Sequence, residues 1–414
     1  MTGSMITVTA ADGGKFQAYL ATPAKGSGPG IVLLQEIFGV NHHIKAVADY
    51  YAEEGYVVLA PDLFWRLQPG VDLGYTGSDY EQARALAQRF DARQAMSDIA
   101  AAVTALRARK ECQGKVGARG FCLGGRLAYL AAASAGVDCA VGYYGGGIDQ
   151  HLDVPIEVPL VLQFAGADAH IGEAAVARIR AAFAGREDVE IYVYPGAAHG
   201  FNCSERSSWN KPAAMMAHSR AIALFRRVLG PRFDLSQLWD KHCEYEFGTR
   251  NVGDTMRTMV AEPYVNHIPT LTGGVGFEQL ARFYQYHFIP KTPKDTQLIP
   301  ISRTIGADRE VDAILFSFTH DIENDWMLPG IKPTGKPVKI PLVAIICFRG
   351  DKLYNEHIYW DQASVLVQIG LLDPKLHPVA GVATADKLVD ESLPSNTLMA
   401  KNWAESAGKP VPPR

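Results

Sequence analysis

The chain has 414 residues, 48% of them hydrophobic and 20% charged, and a formal net charge of −4. Such values describe an ordinary globular protein whose length suits two domains better than one. They argue against a nucleic-acid partner held by basic charge, and no apolar run approaches the length of a membrane span.

In chain order, residues 5–10 and 16–21 are short β-type runs around the turn signal Asp12-Gly13-Gly14, and predict a hairpin. Gly30–Gln35 is the continuous apolar run of a central strand covered on both faces, and it ends in Glu36-Ile37-Phe38-Gly39. A helical pattern over 42–54 stops at Gly55, and Tyr56–Ala60 is the next strand, closed by Pro61-Asp62. After a polar loop, one long helix is expected from about Asp79 to Arg109. Lys115–Arg119 reads as a strand, and Arg126–Ala132 reads as a helix. Between them lies the turn Gly120-Phe121-Cys122-Leu123-Gly124-Gly125. Strands near 139–143, 158–164 and 189–194 follow, with helices near 173–185 and 211–229. This alternation predicts an α/β fold with a mostly parallel, doubly wound sheet, whose ligands bind at the carboxyl ends of its strands.

The character changes at Gly230-Pro231. Helices at 236–249 and 277–287 precede β-type runs at 297–308, 311–320, 338–349 and 353–359, and a helix at 360–369 closes the segment. Helices followed by antiparallel-looking strands predict an α+β domain with a curved sheet. The expected division is a domain over 1–232, a second over 233–373, and a tail over 374–414. The tail ends in the Pro-rich Lys409–Arg414 and is expected to be partly disordered or packed on a partner.

Six cysteines are scattered without C-x-x-C pairs, so neither a zinc site nor a disulfide framework is expected, and no cofactor or metal is called for. Reduced thiols suit the cytoplasm, and the N-terminus lacks the basic-then-apolar form of a secretion signal. Met1–Met5 is set aside from fold reasoning.

A strand, Gly-x-nucleophile-x-Gly and a helix form the nucleophile elbow of α/β-hydrolases, here with Cys122 at its centre. The turn lifts the sulfur off the sheet and sets it at a helix N-terminus, whose partial positive charge favours thiolate. In such folds the acid and the histidine follow the nucleophile in that order. Asp168, in Phe164-Ala165-Gly166-Ala167-Asp168, and His199, in Ala197-Ala198-His199-Gly200-Phe201, fall just beyond predicted strands in that order. Each alone is more often a turn former or a satisfied polar group; their joint order at strand ends carries the reading. The backbone N–H groups of Leu123 and Ile37 are placed to stabilise an oxyanion.

Several segments together resemble the dienelactone hydrolase (carboxymethylenebutenolidase) family over about 5–230. They are Gln35-Glu36-Ile37-Phe38-Gly39-Val40-Asn41, Ala60-Pro61-Asp62-Leu63, Gly120–Gly125, Val141-Gly142-Tyr143-Tyr144-Gly145 and Ala198-His199-Gly200-Phe201. The resemblance implies a Cys122/Asp168/His199 triad that hydrolyses a small-molecule ester or lactone through a thioester. It also implies that Glu36 contacts the resting thiol and helps to deprotonate it when substrate arrives. Family members hold the substrate carboxylate with two arginines, and at those places this chain has Tyr80 and Cys203. Arg84 and Arg206 are the candidate replacements, and Tyr144 is a further substrate-binding candidate. Without the two cations, neutral esters or lactones are expected to be preferred over anionic dienelactones.

Residues about 236–370 are similar to SnoaL-like polyketide cyclases of the nuclear-transport-factor fold, which are cones of helices around a curved sheet. The matching pieces are Tyr264-Val265-Asn266-His267, Gly276–Leu280, Pro333-Thr334-Gly335-Lys336, Trp360–Ala363 and Gln368–Leu372. The resemblance implies a homodimer through this domain and an internal pocket, with His267, His320, Asp321, His357 and Asp361 as candidates to line it. Two other readings stay open: a cyclase or isomerase with its chemistry in the second domain, and a non-catalytic hydrolase fold used for binding.

Overall fold

The computed structural model describes residues 3–413; Met1 and Thr2 of the N-terminal stretch set aside above, and Arg414 of the Pro-rich end, lie outside them. The chain divides into two compact units, Met1–Phe233 and Asp234–Arg414.

The first unit opens with the antiparallel hairpin β1 (Ser4–Thr9) and β2 (Lys15–Ala21). The central strand β3 (Gly28–Leu34) is buried at all seven residues, as a strand covered on both faces must be. Next come α1 (His42–Glu53), β4 (Val57–Pro61), α2 (Gly77–Gln88) and α3 (Ala92–Arg107). The single helix expected over 79–109 is thus two. Asp91 breaks it: its carboxylate accepts the N–H groups of Arg93 and Gln94 and starts a new helix at Ala92.

The remaining elements alternate: β5 (Cys112–Phe121), α4 (Leu123–Ser134), β6 (Cys139–Tyr143), β7 (Leu160–Ala165), α5 (Glu173–Ala182), β8 (Val189–Tyr194) and α6 (Lys211–Val228). The eight strands order as β1-β2-β4-β3-β5-β6-β7-β8, and all pairs from β4 to β8 are parallel. The carboxyl ends of β3, β5, β6, β7 and β8 therefore open on one edge of the sheet. Arg119, inside β5, is fully buried, with its guanidinium 4.4–4.9 Å from the ring centroids of Tyr51, Phe121 and Tyr143. Burial pulls its pKa below the ordinary arginine value, and stacking on rings offsets part of that cost.

The loop after β4 is pinned to the sheet. Gln35 Oε1, at the end of β3, accepts Leu63 N–H, and Asp62 accepts the N–H groups of Phe64 and Gly70. Buried Asp98 of α3 receives Trp65 Nε1 and Arg66 from the same loop. Asn41 caps α1 and also donates to Leu73 O and Tyr75 Oη. One side chain thus fixes the start of a helix and the far end of the loop.

In the second unit, α7 (Leu235–Cys243) runs into a π-helical turn, Glu244–Gly248, followed by α8 (Val252–Arg257), β9 (Met259–His267) and β10 (Thr272–Val275). Helix α9 (Phe277–Phe283) enters a second π-helical turn, Tyr284–Phe288. Long strands β11 (Gln297–Ile305), β12 (Arg309–Thr319), β13 (Pro337–Arg349) and β14 (Lys352–Trp360) lead to α10 (Gln362–Ile369). The sheet order is β10-β9-β14-β13-β12-β11, and the pairing of β9 with β14 is parallel. Strands β9 and β10 are absent from the sequence reading: their Glu, Asn, Thr and Gly residues hide the period-two pattern, and β9 joins β14 by a parallel pairing. Bulges at 300–302, 347–348 and 353–355 bend this sheet. An α+β architecture with a curved sheet is present.

Part of the segment expected to be disordered or partner-bound packs on its own unit. Helix α11 (Ala383–Val389) buries Ala385, and its Asp386 pairs with Lys339 of β13 at 3.1 Å. Helix α12 (Ala400–Glu405) follows, and the residues around it are exposed. Among the described residues no helix is long and apolar enough to cross a membrane.

Candidate active site

Cys122 sits between β5 and α4 with φ 53° and ψ −113°, a left-handed conformation that a non-glycine residue seldom adopts. Holding it costs roughly 1–3 kcal/mol, which surrounding structure must supply. Two glycines let the backbone come close enough to do so. A Cβ on Gly120 would meet Gly124 O at 1.9 Å, and one on Gly124 would meet Leu34 O at 2.2 Å and Gln35 O at 2.6 Å. Hydrogen bonds then lock the turn: Cys122 N–H donates to Tyr143 O, and Gly124 N–H to Gln35 O, each at 3.0 Å. Leu123 is the first residue of α4, so its N–H has no acceptor inside the helix.

Asp168 lies in the loop after β7. Its Oδ1 accepts His170 N–H at 2.8 Å and Ile171 N–H at 3.3 Å, and its Oδ2 lies 2.8 Å from His199 Nδ1. Burial works to raise the Asp168 pKa, but the His199 contact and the two backbone donors outweigh it and hold the carboxyl below its ordinary value. For His199, after β8, burial opposes the charged form. Hydrogen bonds to Asp168 and Cys122 overcome that, and its pKa rises to about 10. The imidazole is thus held by a buried carboxylate, and the Cys122 sulfur is among the groups that favour its charged form.

The Tyr144 ring packs 4.9 Å from that of His199, and its fully buried hydroxyl has no hydrogen-bond partner among the described residues. Glu36, just beyond β3, is 1% exposed, and burial raises its pKa while Arg206 and His199 pull it back. Its Oε1 receives Arg206 Nη1 at 3.3 Å. Arg206 is also held over the rings of Phe38 (5.7 Å) and Tyr75 (5.4 Å), a contact the sequence gives no signal for. Of the two candidate replacement cations, Arg206 thus enters the site, while Arg84 is exposed on α2. Tyr80 is half-buried, its ring 6.2 Å from that of Phe38. Cys203 is fully buried; burial pushes its thiol up to about 11 although a hydrogen bond from Tyr75 pulls the other way. All six cysteines are free thiols.

The second unit has its own cavity, lined among others by Trp239, Glu246, His267, Tyr284, Trp326 and Glu356. Of the five candidates read from sequence, His267 lines it. Burial lowers its pKa to about 3, and it stacks on Phe288. His320 is buried against Thr334 Oγ1, and Asp321 is exposed. His357 packs on Tyr264, on the face of β14 opposite to Glu356. Asp361 caps α10 through Ala363 N–H. The sequence reading missed Glu246 and Glu356. Counting back by twos from Ile358 and Trp360 marks Glu356 as inward on β14, and His242-x-x-x-Glu246 is a one-face helical pair.

A mostly parallel sheet of this order, with an elbow at the end of its β5 strand, defines an α/β-hydrolase fold. Within that class the chain belongs to the dienelactone hydrolase family, whose pattern matches residues 16–229. It is 36% identical over 220 residues to the carboxymethylenebutenolidase of Pseudomonas putida, covering 52% of this chain and 93% of that one. It is 32% identical over 229 residues to carboxymethylenebutenolidase 1 of Cupriavidus pinatubonensis, covering 55% of this chain and 97% of that one. Among solved structures it is similar to a putative dienelactone hydrolase from Klebsiella pneumoniae, with 27% identity and a TM-score of 0.46. That likeness covers 54% of this chain and 99% of the other.

Proposed function

We propose that the chain is a cysteine-dependent hydrolase of carboxylic esters or lactones. The observation that carries this reading is the strained Cys122 elbow facing a His199 held by Asp168 at 2.8 Å. In the proposed cycle His199 carries the proton of the Cys122 thiol as an imidazolium while the sulfur attacks the acyl carbon. The carbonyl π pair moves onto oxygen, where the N–H groups of Leu123 and Ile37 stabilise it. Collapse of this intermediate breaks the C–O bond, and His199 returns the proton to the leaving alkoxide. Water, deprotonated by His199, then cleaves the thioester and restores the thiol. Asp168 stays ionised and stabilises the imidazolium throughout.

The acyl group is proposed to be neutral. Arg206 is the cation that enters the site, and Glu36 already neutralises it. A substrate carboxylate would have to break that pair and leave Glu36 buried without its partner, a change that costs roughly 3–5 kcal/mol for a buried pair. Tyr80 and Cys203 add an aromatic surface and a soft thiol where the resemblance implies cations. A screen of neutral esters and lactones, with Cys122→Ala alongside, tests the reading. Turnover by the unmodified chain and none by a folded Cys122→Ala is expected; equal turnover by both refutes it.

A further inference from the structure

In the second unit, three buried groups outside the hydrolase site converge on one point. His242 Nε2 lies 3.0 Å from Glu246 Oε1 and 3.2 Å from Glu356 Oε1, and the three ligand atoms are all within 4.8 Å of one another. The tautomer of His242 follows from its other nitrogen. Thr258 Oγ1 gives its only proton to Thr255 O at 2.6 Å, so it must accept at its 2.5 Å contact with His242 Nδ1. Nδ1 therefore carries a proton. In the neutral ring Nε2 is then a lone pair, and it faces two carboxylate oxygens.

An independent observation points the same way. Glu356 is 3% exposed and lines the cavity, and its Oε1 approaches Nε2 without forming a directed hydrogen bond. The ion pairs of Glu246 and Glu356 both run to His242, so a neutral imidazole leaves two buried negative charges in an aromatic cavity. Both π-helical turns of the unit border this place: one supplies Glu246 and Phe247, the other Tyr284 and Phe288. Such turns are rare and recur at functional sites.

We propose that His242 Nε2 and the carboxylates of Glu246 and Glu356 form a binding site for one divalent transition-metal cation. Ligand atoms about 2.1 Å from a cation are about 3.0 Å apart at right angles and about 3.4 Å apart in a tetrahedron, a range that holds both spacings around Nε2. The cation's two charges balance the two carboxylates. The Nδ1–H bond to Thr258 orients the ring as outer partners of metal-bound histidines do, and the Tyr284 hydroxyl lies 3.4 Å from Nε2. One imidazole and two carboxylates suit zinc, manganese or iron(II). Because Glu356 comes from a strand far along the chain, cysteine and histidine spacing carries no trace of the site.

The test uses the full chain, stripped with a chelator, dialysed against Zn²⁺ or Mn²⁺, and assayed for bound metal by inductively coupled plasma mass spectrometry. One ion per chain is expected, and Cys122→Ala retains it. Thr258→Val, which keeps all three ligands, weakens binding about 10- to 100-fold. The near-isosteric Glu356→Gln weakens it further, with near-ultraviolet circular dichroism reporting that the fold persists. If the full chain takes up neither ion, His242 holds a proton between the carboxylates instead and the proposal falls. It also falls if binding is undiminished in both Glu356→Gln and Thr258→Val.

Discussion

His199 Nδ1 and Asp168 Oδ2 meet at 2.8 Å, with the carboxylate side chain wholly buried and the imidazole 13% exposed. Two backbone N–H groups hold the other carboxylate oxygen, so the acid has little freedom to turn away. Asp168→Asn keeps the shape but offers Nδ1 either an amide donor or a neutral acceptor. Its kcat/KM for an activated ester should fall on the order of 10³- to 10⁴-fold. A loss under tenfold, measured on a variant with unchanged circular dichroism, would mean that His199 is held by something else.

The His199 pKa, raised from 6.5 to about 10, sets a pH signature for stability. A pKa higher in the folded state means that folding favours the protonated ring. That contribution is present in full below about pH 6.5 and is lost as pH rises toward about 10. Urea unfolding of the unmodified chain and of His199→Gln should therefore differ most at pH 6, with the gap shrinking steadily to pH 10. A gap that stays constant or widens over this range would contradict the charged imidazole.

Arg206 answers the question of the missing cations in a particular way. Because it is bound to Glu36, Arg206→Gln should slow a neutral ester and its carboxylate-bearing analogue alike. The ratio of their kcat/KM values should move less than about threefold, since a direct charge-assisted bond would be worth roughly tenfold or more. The unmodified chain should prefer the neutral ester. A preference for the anionic analogue that disappears in Arg206→Gln would make Arg206 the substrate's anchor.

What the sequence discloses follows from where the physical signals are local. The elbow is legible because Gly120, Cys122 and Gly124 answer a strain confined to five residues, and β3 because full burial leaves an unbroken apolar run. Asp168 and His199 could be named from their order after Cys122 together with their places just beyond predicted strands. The Arg206–Glu36 pair joins residues far apart in sequence by a loop whose path no periodicity encodes, so it emerged only from the fold. The helix break at Asp91 was overridden by a continuous helical pattern on either side of a local cap. In the second unit the reading chose His357 where the inward residue is its neighbour Glu356; a one-residue shift in a strand changes the face.

The central claim is that the Cys122 sulfur carries the acyl group, and trapping that species tests it most directly. The full chain is mixed with a slowly deacylating activated ester, quenched in acid, and analysed by intact-mass and peptide mass spectrometry. The account predicts one acyl adduct, located on the peptide containing Cys122, and none in Cys122→Ala. An adduct on another residue, or ester turnover undiminished in Cys122→Ala, would contradict it.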